Sequence, residues 1–424
     1  MADGGLADWI RAHGHPVAAL DLRAPLDDLA PLSEIVGSAR VVALGESSHH
    51  VREFHQVRHR MLRFLVERCG FTIFAMEAPF AEGTVLDGWL RGGPGAVEDV
   101  VRDAVALGLG DVPELHEVLR WLRAYNGRPG GVPVRYAGAD LPGSLGSPLP
   151  AIEAVTAYVE TYAPDVLPKL AQARELAGRL HDPEPMKVLF GYPSVDQAER
   201  DALTTVLAEL VARTQRTARW QRACGRTAEY AMAAHRLRGA WLVDQLHRSM
   251  VDEGIEVAST FRDVYMAESV LHLLERDPGA RIVLTAHNWH LRKAPVPSGS
   301  GELFPAGYHL AAELGADYRA IAVTSRGGRT AIVSGDLSGS GGLPFRETAL
   351  PPLEDAAIES AFPGSASSAS WTIADLRAAT AVSDAGRYTR MRMADYFCDQ
   401  PAFDCFDAVV CVAETNGTEH TRPA

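Results

Sequence analysis

Val41-Val42-Ala43-Leu44-Gly45-Glu46-Ser47-Ser48-His49-His50, a helical pattern to Arg68, and then Phe71-Thr72-Ile73-Phe74-Ala75-Met76-Glu77 form the stretch whose reading decides the fold. Four apolar residues running into a glycine read as a strand buried on both faces. From about Val51 to Arg68, Phe54, Met61, Leu62 and Leu65 recur at helical spacing, and Gly70 stands where a C-terminal cap belongs. Phe71 to Met76 is a second apolar strand, ending on Glu77. Strand, helix and strand together make the usual parallel crossover.

The pattern extends outward in both directions. Leu115 to Tyr125 reads as an amphipathic helix. Val134 to Ala139 reads as a strand ending on Asp140, and Gly143 to Pro150 is a break rich in Gly, Pro and Ser. From about 151 to 250 the texture changes to Ala, Leu and Arg with few strand signals, which predicts a helical insertion. Arg262 to Glu275 looks helical, and Ile282-Val283-Leu284-Thr285 looks like a strand leading into Ala286-His287-Asn288. Tyr318 to Thr324, Thr330 to Ser334 and Ala408 to Ala413 are further strands, with loops at 335–342 and 364–370. No internal repeat is present. The expected architecture is α/β: a central, mostly parallel sheet flanked by helices. Residues 1–145 and 256–424 supply its two parts, and 146–255 form a helical insertion subdomain.

Composition narrows the function classes. The chain has 424 residues, 47% of them apolar, enough for a large core. A formal net charge of -13 opposes a nucleic-acid partner, which calls for a positive field. No apolar segment follows a basic start, and no run of about 18 apolar residues occurs, so neither a signal peptide nor a membrane span is expected. The five cysteines, at 69, 224, 398, 405 and 411, form no C-x-x-C pair. They read as reduced, mostly buried thiols of a cytoplasmic protein.

Four predicted strands lead into an ionisable residue: Glu46, Glu77, Asp140 and His287. In open α/β sheets, ligands bind beyond the carboxyl ends of the strands. Three carboxylates and an imidazole gathered there make a candidate site; acidic residues that merely open surface loops are the plainer alternative. Arg58 lies inside the apolar stripe of its helix. A guanidinium aimed at a core must be paired, and Glu46 and Glu77 are the nearest partners by topology. His49 precedes a helix N-terminus, whose positive end disfavours imidazolium; the glutamates oppose that effect but fix the tautomer. A neutral, oriented histidine suits a general base. His50 is expected at the surface or behind the site.

Other chemistries fit less well. Gly45-Glu46-Ser47-Ser48-His49 breaks the G-x-S-x-G elbow at its last position, so Ser47 and Ser48 read as turn or capping residues. His55 and His59 have the spacing of H-E-x-x-H but lack its glutamate. A metal held by His49, His287 and His290 is the rival reading; the expectation is that no metal and no cofactor is used. Trp220, Tyr230 and Trp241 of the insertion either line a substrate cleft or belong to its helical core.

Several blocks together resemble the erythromycin esterase family. They are Leu44-Gly45-Glu46-Ser47-Ser48-His49, Arg52-Glu53-Phe54, Arg58-His59, Phe74-Ala75-Met76-Glu77-Ala78 and Trp121-Leu122-Arg123-Ala124-Tyr125-Asn126. Arg262-Asp263, Met266-Ala267-Glu268 and Ala286-His287-Asn288 follow in family order. The blocks span about 40 to 325, with only a loose match beyond, around Phe406-Asp407. The resemblance implies an α/β core under a helical subdomain and macrolactone ester hydrolysis by a histidine-activated water without a required metal. It implies catalytic roles for His49, Glu46, Glu77, His287 and Arg58. It places Arg262 and His290 in the site, where Asp140 joins them as a substrate-binding candidate. His50 and Ala78-Pro79 depart from the usual family pattern beside the site. The expected partner is a small-molecule substrate, an ester or lactone of a mid-sized, macrolide-like natural product. The alternative is a biosynthetic tailoring enzyme of the same family, using the site for proton transfer in elimination, cyclisation or acyl transfer.

Overall fold

In the computed structural model, which describes residues 5–105, 108–182, 185–299, 301–333, 345–364, 370–419 and 422–423, the two apolar runs of the opening stretch belong to one sheet but are not neighbours. They are β2 (Val41–Leu44) and β3 (Ile73–Pro79), with β5 (Ile282–Thr285) lying between them. The other strands of this sheet are β1 (His15–Val17), β4 (Arg135–Asp140), β8 (Tyr318–Ser325), β11 (Trp371–Asp375) and β14 (Ala408–Val412). Their order is β1-β11-β14-β8-β2-β5-β3-β4. Every pair from β14 to β4 is parallel. Only the two pairings that β11 makes, with β14 and with the edge strand β1, are antiparallel. A central, mostly parallel sheet flanked by helices is therefore what the chain builds.

The unbroken apolar runs follow from burial on both faces. Val42 and Leu44 point into one core with Phe54, Met61, Leu62, Leu65 and Phe74. Val41 and Ala43 point into the other with Ala75, Leu284, Met266 and Val270. The first helix after β2 spans Arg52–Cys69, and Gly70 ends it at φ 71, the left-handed conformation that glycine adopts without penalty. Its N-cap is Val51, with no side-chain cap. Ser48 is instead held by a bond from its Oγ to the Ala331 carbonyl, 3.0 Å away. The capping role expected of the two serines is thus not seen, because the loop is fixed from across the fold.

Among the described residues, three small sheets lie outside the large one. β6 (Val296–Ser298) pairs with β7 (Gly301–Leu303). β9 (Arg329–Val333) pairs with β10 (Phe345–Ala349), which β15 (Arg422–Pro423) joins. β12 (Arg390–Met393) pairs with β13 (Tyr396–Asp399). The strand expected from Thr330 is therefore β9, in a sheet of its own. The loop expected at 335–342, and 365–369 of the other, lie outside the described residues.

Between β4 and β5 the chain is helical. Its longest helices are Gln197–Ala223, N-capped by Asp196, then Thr227–Asp252 and Ile255–Arg276. The last begins well before the expected Arg262. The first two share an apolar core with the shorter helices before them, through Leu203, Leu207, Ala233 and Leu237, and Ile255–Arg276 joins at a second cluster. They are rooted on the sheet where Phe80 and Leu141, beyond β3 and β4, pack against Leu242, Val243, Leu246 and Tyr265. Tyr230 is buried among them, Trp241 packs against both apolar clusters, and Trp220 is exposed. Among the described residues, no helix is long and apolar enough to cross a membrane. All five cysteines are free; only Cys405 and Cys411 are buried, fewer than expected, and Cys224 is exposed.

Candidate active site

The strand ends converge. β2 delivers Glu46 and His49 through its following loop, β3 carries Glu77, β4 ends on Asp140, and β5 leads into His287. The close approach of β2 and the turn after β5 requires Gly45, since a Cβ there would meet Asn288 Oδ1 at 1.9 Å. Asn288 clamps the junction. Its backbone N–H donates to the Glu46 carbonyl at 2.8 Å, and its side-chain amide bonds both the carbonyl (2.9 Å) and the N–H (3.2 Å) of Val323.

His49 Nδ1 lies 3.0 Å from Glu46 Oε1, and the other oxygen of Glu46 is 2.6 Å from Arg58 Nη2. A carboxylate only accepts, so Nδ1 carries the proton and the lone pair of the neutral ring is on Nε2. Nε2 is 4.0 Å from Glu77 Oε1. The side chain of His49 is 22% exposed, against 3% for Glu46 and 4% for Glu77, so His49 is the member of the three open to solvent. Burial lowers its pKa, but the bond to Glu46 and the charges of Glu77 and Glu46 outweigh it, and the pKa is raised. The tendency to neutrality expected from the helix end is overridden by two carboxylates.

Arg58 reaches Glu46 but not Glu77. Its second partner is His55, whose Nδ1 accepts at 3.2 Å while its Nε2–H donates to the His49 carbonyl at 2.8 Å. Burial first, then Arg58, holds His55 well below the ordinary histidine range. Glu77 is paired by Arg262, at 2.5 Å, and accepts the His287 backbone N–H at 2.6 Å. Burial pushes its carboxyl up, but Arg262, His290 and His49 together hold it far below the usual carboxylate range. The same guanidinium contacts Asp140 Oδ2 at 2.6 Å and His290 Nε2 at 3.2 Å. His290 Nδ1 is fixed by Asp263, 2.7 Å away. Burial lowers the His290 pKa, yet Asp263 and Glu77 leave it raised.

His287 is placed differently. Its ring is 5.4 Å from that of His49, edge to face. Its Nε2–H donates to the Ser47 carbonyl at 3.1 Å, and its Nδ1 accepts the Trp289 N–H at 3.2 Å. Both nitrogens are engaged with backbone, and burial above all takes its pKa down to about 3. In this arrangement the ring buttresses the Ser47–His49 loop. The three histidines of the metal reading are thus each tied to protein groups. Among the described residues, no group of three or more His, Cys, Asp or Glu side chains is disposed to hold a metal ion.

All eight residues singled out from the sequence lie in this cluster. His50, expected at the surface or behind the site, is fully buried, with its ring 3.7 Å from that of Phe345. From the sequence, Asp263 and Asn288 have no assigned place in the site, although both stand within the motif blocks, and His55 enters only as half of an incomplete metal motif.

The family model described as erythromycin esterase matches residues 66–415. Glu46, His49 and Arg58 precede that stretch and the other site residues fall within it. The match also runs far beyond residue 325, where the resemblance was expected to fade. The chain is similar to an Escherichia coli erythromycin esterase type II, 29% identical over 363 residues that make up 84% of this chain and 86% of that one. To the type I enzyme of Escherichia coli it is 27% identical over 303 residues, 70% and 72% of the two chains. Its fold is that of a mutant erythromycin esterase, EreC, solved in an open conformation. The TM-score is 0.81 at 24% identity, over 96% of this chain and 99% of that one.

Proposed function

Since the chain belongs to the erythromycin esterase family, we propose that it is a carboxylic-ester hydrolase that opens the lactone of a macrolide-like natural product with water activated by His49. The observation that carries this reading is the fixed orientation of His49: Glu46, held by Arg58, grips Nδ1 and leaves the Nε2 lone pair available as a base on a side chain that is partly exposed. A carboxylate partner that holds an imidazole in one tautomer serves the same end in hydrolytic triads.

In this mechanism a water oxygen bonds to the acyl carbon while its proton passes to His49 Nε2. The tetrahedral intermediate then expels the ring alkoxide, and the same proton moves from Nε2 to that oxygen. The products are a carboxylic acid and an alcohol, together the substrate plus one water. Glu77, rigidly paired with Arg262, stabilises the imidazolium formed midway. His290 and Asp140, joined to the same guanidinium, fix its position. No serine is required: Ser48 Oγ is committed to the Ala331 carbonyl.

The test is mass spectrometry of the purified protein with erythromycin and a panel of other macrolactones. The expected product is the substrate plus one water. A product of unchanged mass (cyclisation), or one lighter by an eliminated group or heavier by an acyl group, would favour the proton-transfer tailoring reaction, and no product across the panel would reject hydrolysis of this class.

A further inference from the structure

The β12–β13 hairpin belongs to the part of the chain where the sequence motifs give out, yet its tip is bonded to the loop that bears His49. The Ala394 N–H donates to the Ser47 carbonyl at 2.7 Å, the same oxygen that accepts His287 Nε2–H. Ala394 holds φ 51, a conformation uncommon for a residue with a side chain and one that costs of order 1–3 kcal/mol when imposed. The bond to Ser47 fixes the turn there.

The two faces of the hairpin differ. Arg392 and Phe397 are cross-strand partners; both are buried, with the guanidinium 4.5 Å from the ring centroid. The other face carries the pairs Met391–Cys398 and Met393–Tyr396. At its base, Met391 is fully buried with its Sδ 3.8 Å from Nδ2 of Asn288, the residue after His287. Gln400, just past the hairpin, donates to the Asn288 carbonyl at 3.5 Å. Toward the tip that face outruns its support. Met393 is half-buried and Tyr396 is 49% exposed, on either side of the residue bonded to Ser47.

We infer that Met393 and Tyr396 form an apolar subsite that seats the hydrocarbon ring of the ester substrate next to His49. This rests on the ester-hydrolase reading. The reacting centre itself is lined by carboxylates and guanidinium groups, which give no purchase to an aliphatic ring. A flexible thioether and a phenol ring do, carried on either side of the residue whose N–H is bonded to the loop of the base: the thioether adapts to irregular apolar shapes and the phenol offers a large apolar face.

Two measurements test it. In protein carrying ¹³C-methyl methionine, with the Met393 signal assigned through Met393→Leu, erythromycin A should shift that methyl resonance saturably. In kinetics, Tyr396→Ala and Met393→Ala should each raise KM for erythromycin A about tenfold with kcat little changed, the size expected for lost apolar contacts. Tyr396→Phe should keep the native KM, and kcat/KM for p-nitrophenyl acetate, too small to reach the subsite, should not move. Equal losses on both esters, or an unchanged KM for erythromycin A, would overturn the assignment. If the native protein turns over neither ester, the hydrolase reading falls, and the methyl titration alone decides the subsite: a saturable shift supports it and none rejects it.

Discussion

Two groups of buried and half-buried histidines in this molecule differ in what surrounds them. Beyond the sheet, His49 and His290 are packed among carboxylates and guanidinium groups. Between the Thr227–Asp252 and Ile255–Arg276 helices, His235 and His272 are packed among rings. His235 stacks on Tyr265 at 4.5 Å and on His272 at 4.8 Å, and Phe80 meets it edge-on at 4.6 Å. Its Nε2 is bonded to Ser269 Oγ. Burial, the largest influence there, drives the pKa of His235 well down and that of His272 to about 4. At His49 and His290 burial acts in the same direction and loses to adjacent carboxylates. A histidine taken from water is by default a neutral packing element; an anionic partner makes it able to take and hold a proton. His287 shows that the site contains both kinds: its ring nitrogens meet backbone groups, and burial keeps it neutral.

The sharpest way to break this contrast is to remove one histidine from each group. His49→Ala should lower kcat by about 10²–10⁴, the usual loss for a general base, while His235→Phe should leave kcat unchanged. The acid limb of the kcat/KM profile carries the same information. The reaction needs neutral His49, so activity falls as pH drops through its pKa, and the limb should lie above the ordinary 6.5. A limb below 6.5, or equal losses in the two variants, would remove the distinction.

A smaller effect should follow from Arg58→Ala. The pair with Glu46 is almost wholly buried, and removing one partner of such a pair typically costs about 3–5 kcal/mol of stability. The unneutralised Glu46 would also attract the His49 proton more strongly, moving the acid limb upward. Urea unfolding and the pH profile of the one variant check both. A double-mutant cycle of Arg58 with Glu46 should show strong coupling, and one with Glu77 little.

Much of this was legible because it rests on local pattern. The β2–helix–β3 unit announces itself in two apolar runs, a helical stripe and Gly70, and a guanidinium inside that stripe must find a carboxylate. Which carboxylate is not a local question. It depends on β5 entering between β2 and β3, which brings Arg262 onto Glu77 and leaves Glu46 to Arg58. The burial of His50 under Phe345 and the bond from Ser48 to Ala331 depend likewise on segments some 300 residues away in the chain. The raised pKa of His49 required a balance between a helix end and two carboxylates whose distances no spacing rule supplies. The roles of Asn288 and Ala394 are backbone contacts, and side-chain chemistry alone gives no sign of them.

Single turnover in heavy-oxygen water, with protein in excess over a macrolactone, tests the central claim most directly. Attack by a water that His49 activates places one heavy oxygen in the product acid and none in the protein. Label recovered in the protein with an unlabelled product acid, or a trapped acyl group on Ser47 or Ser48, would contradict it.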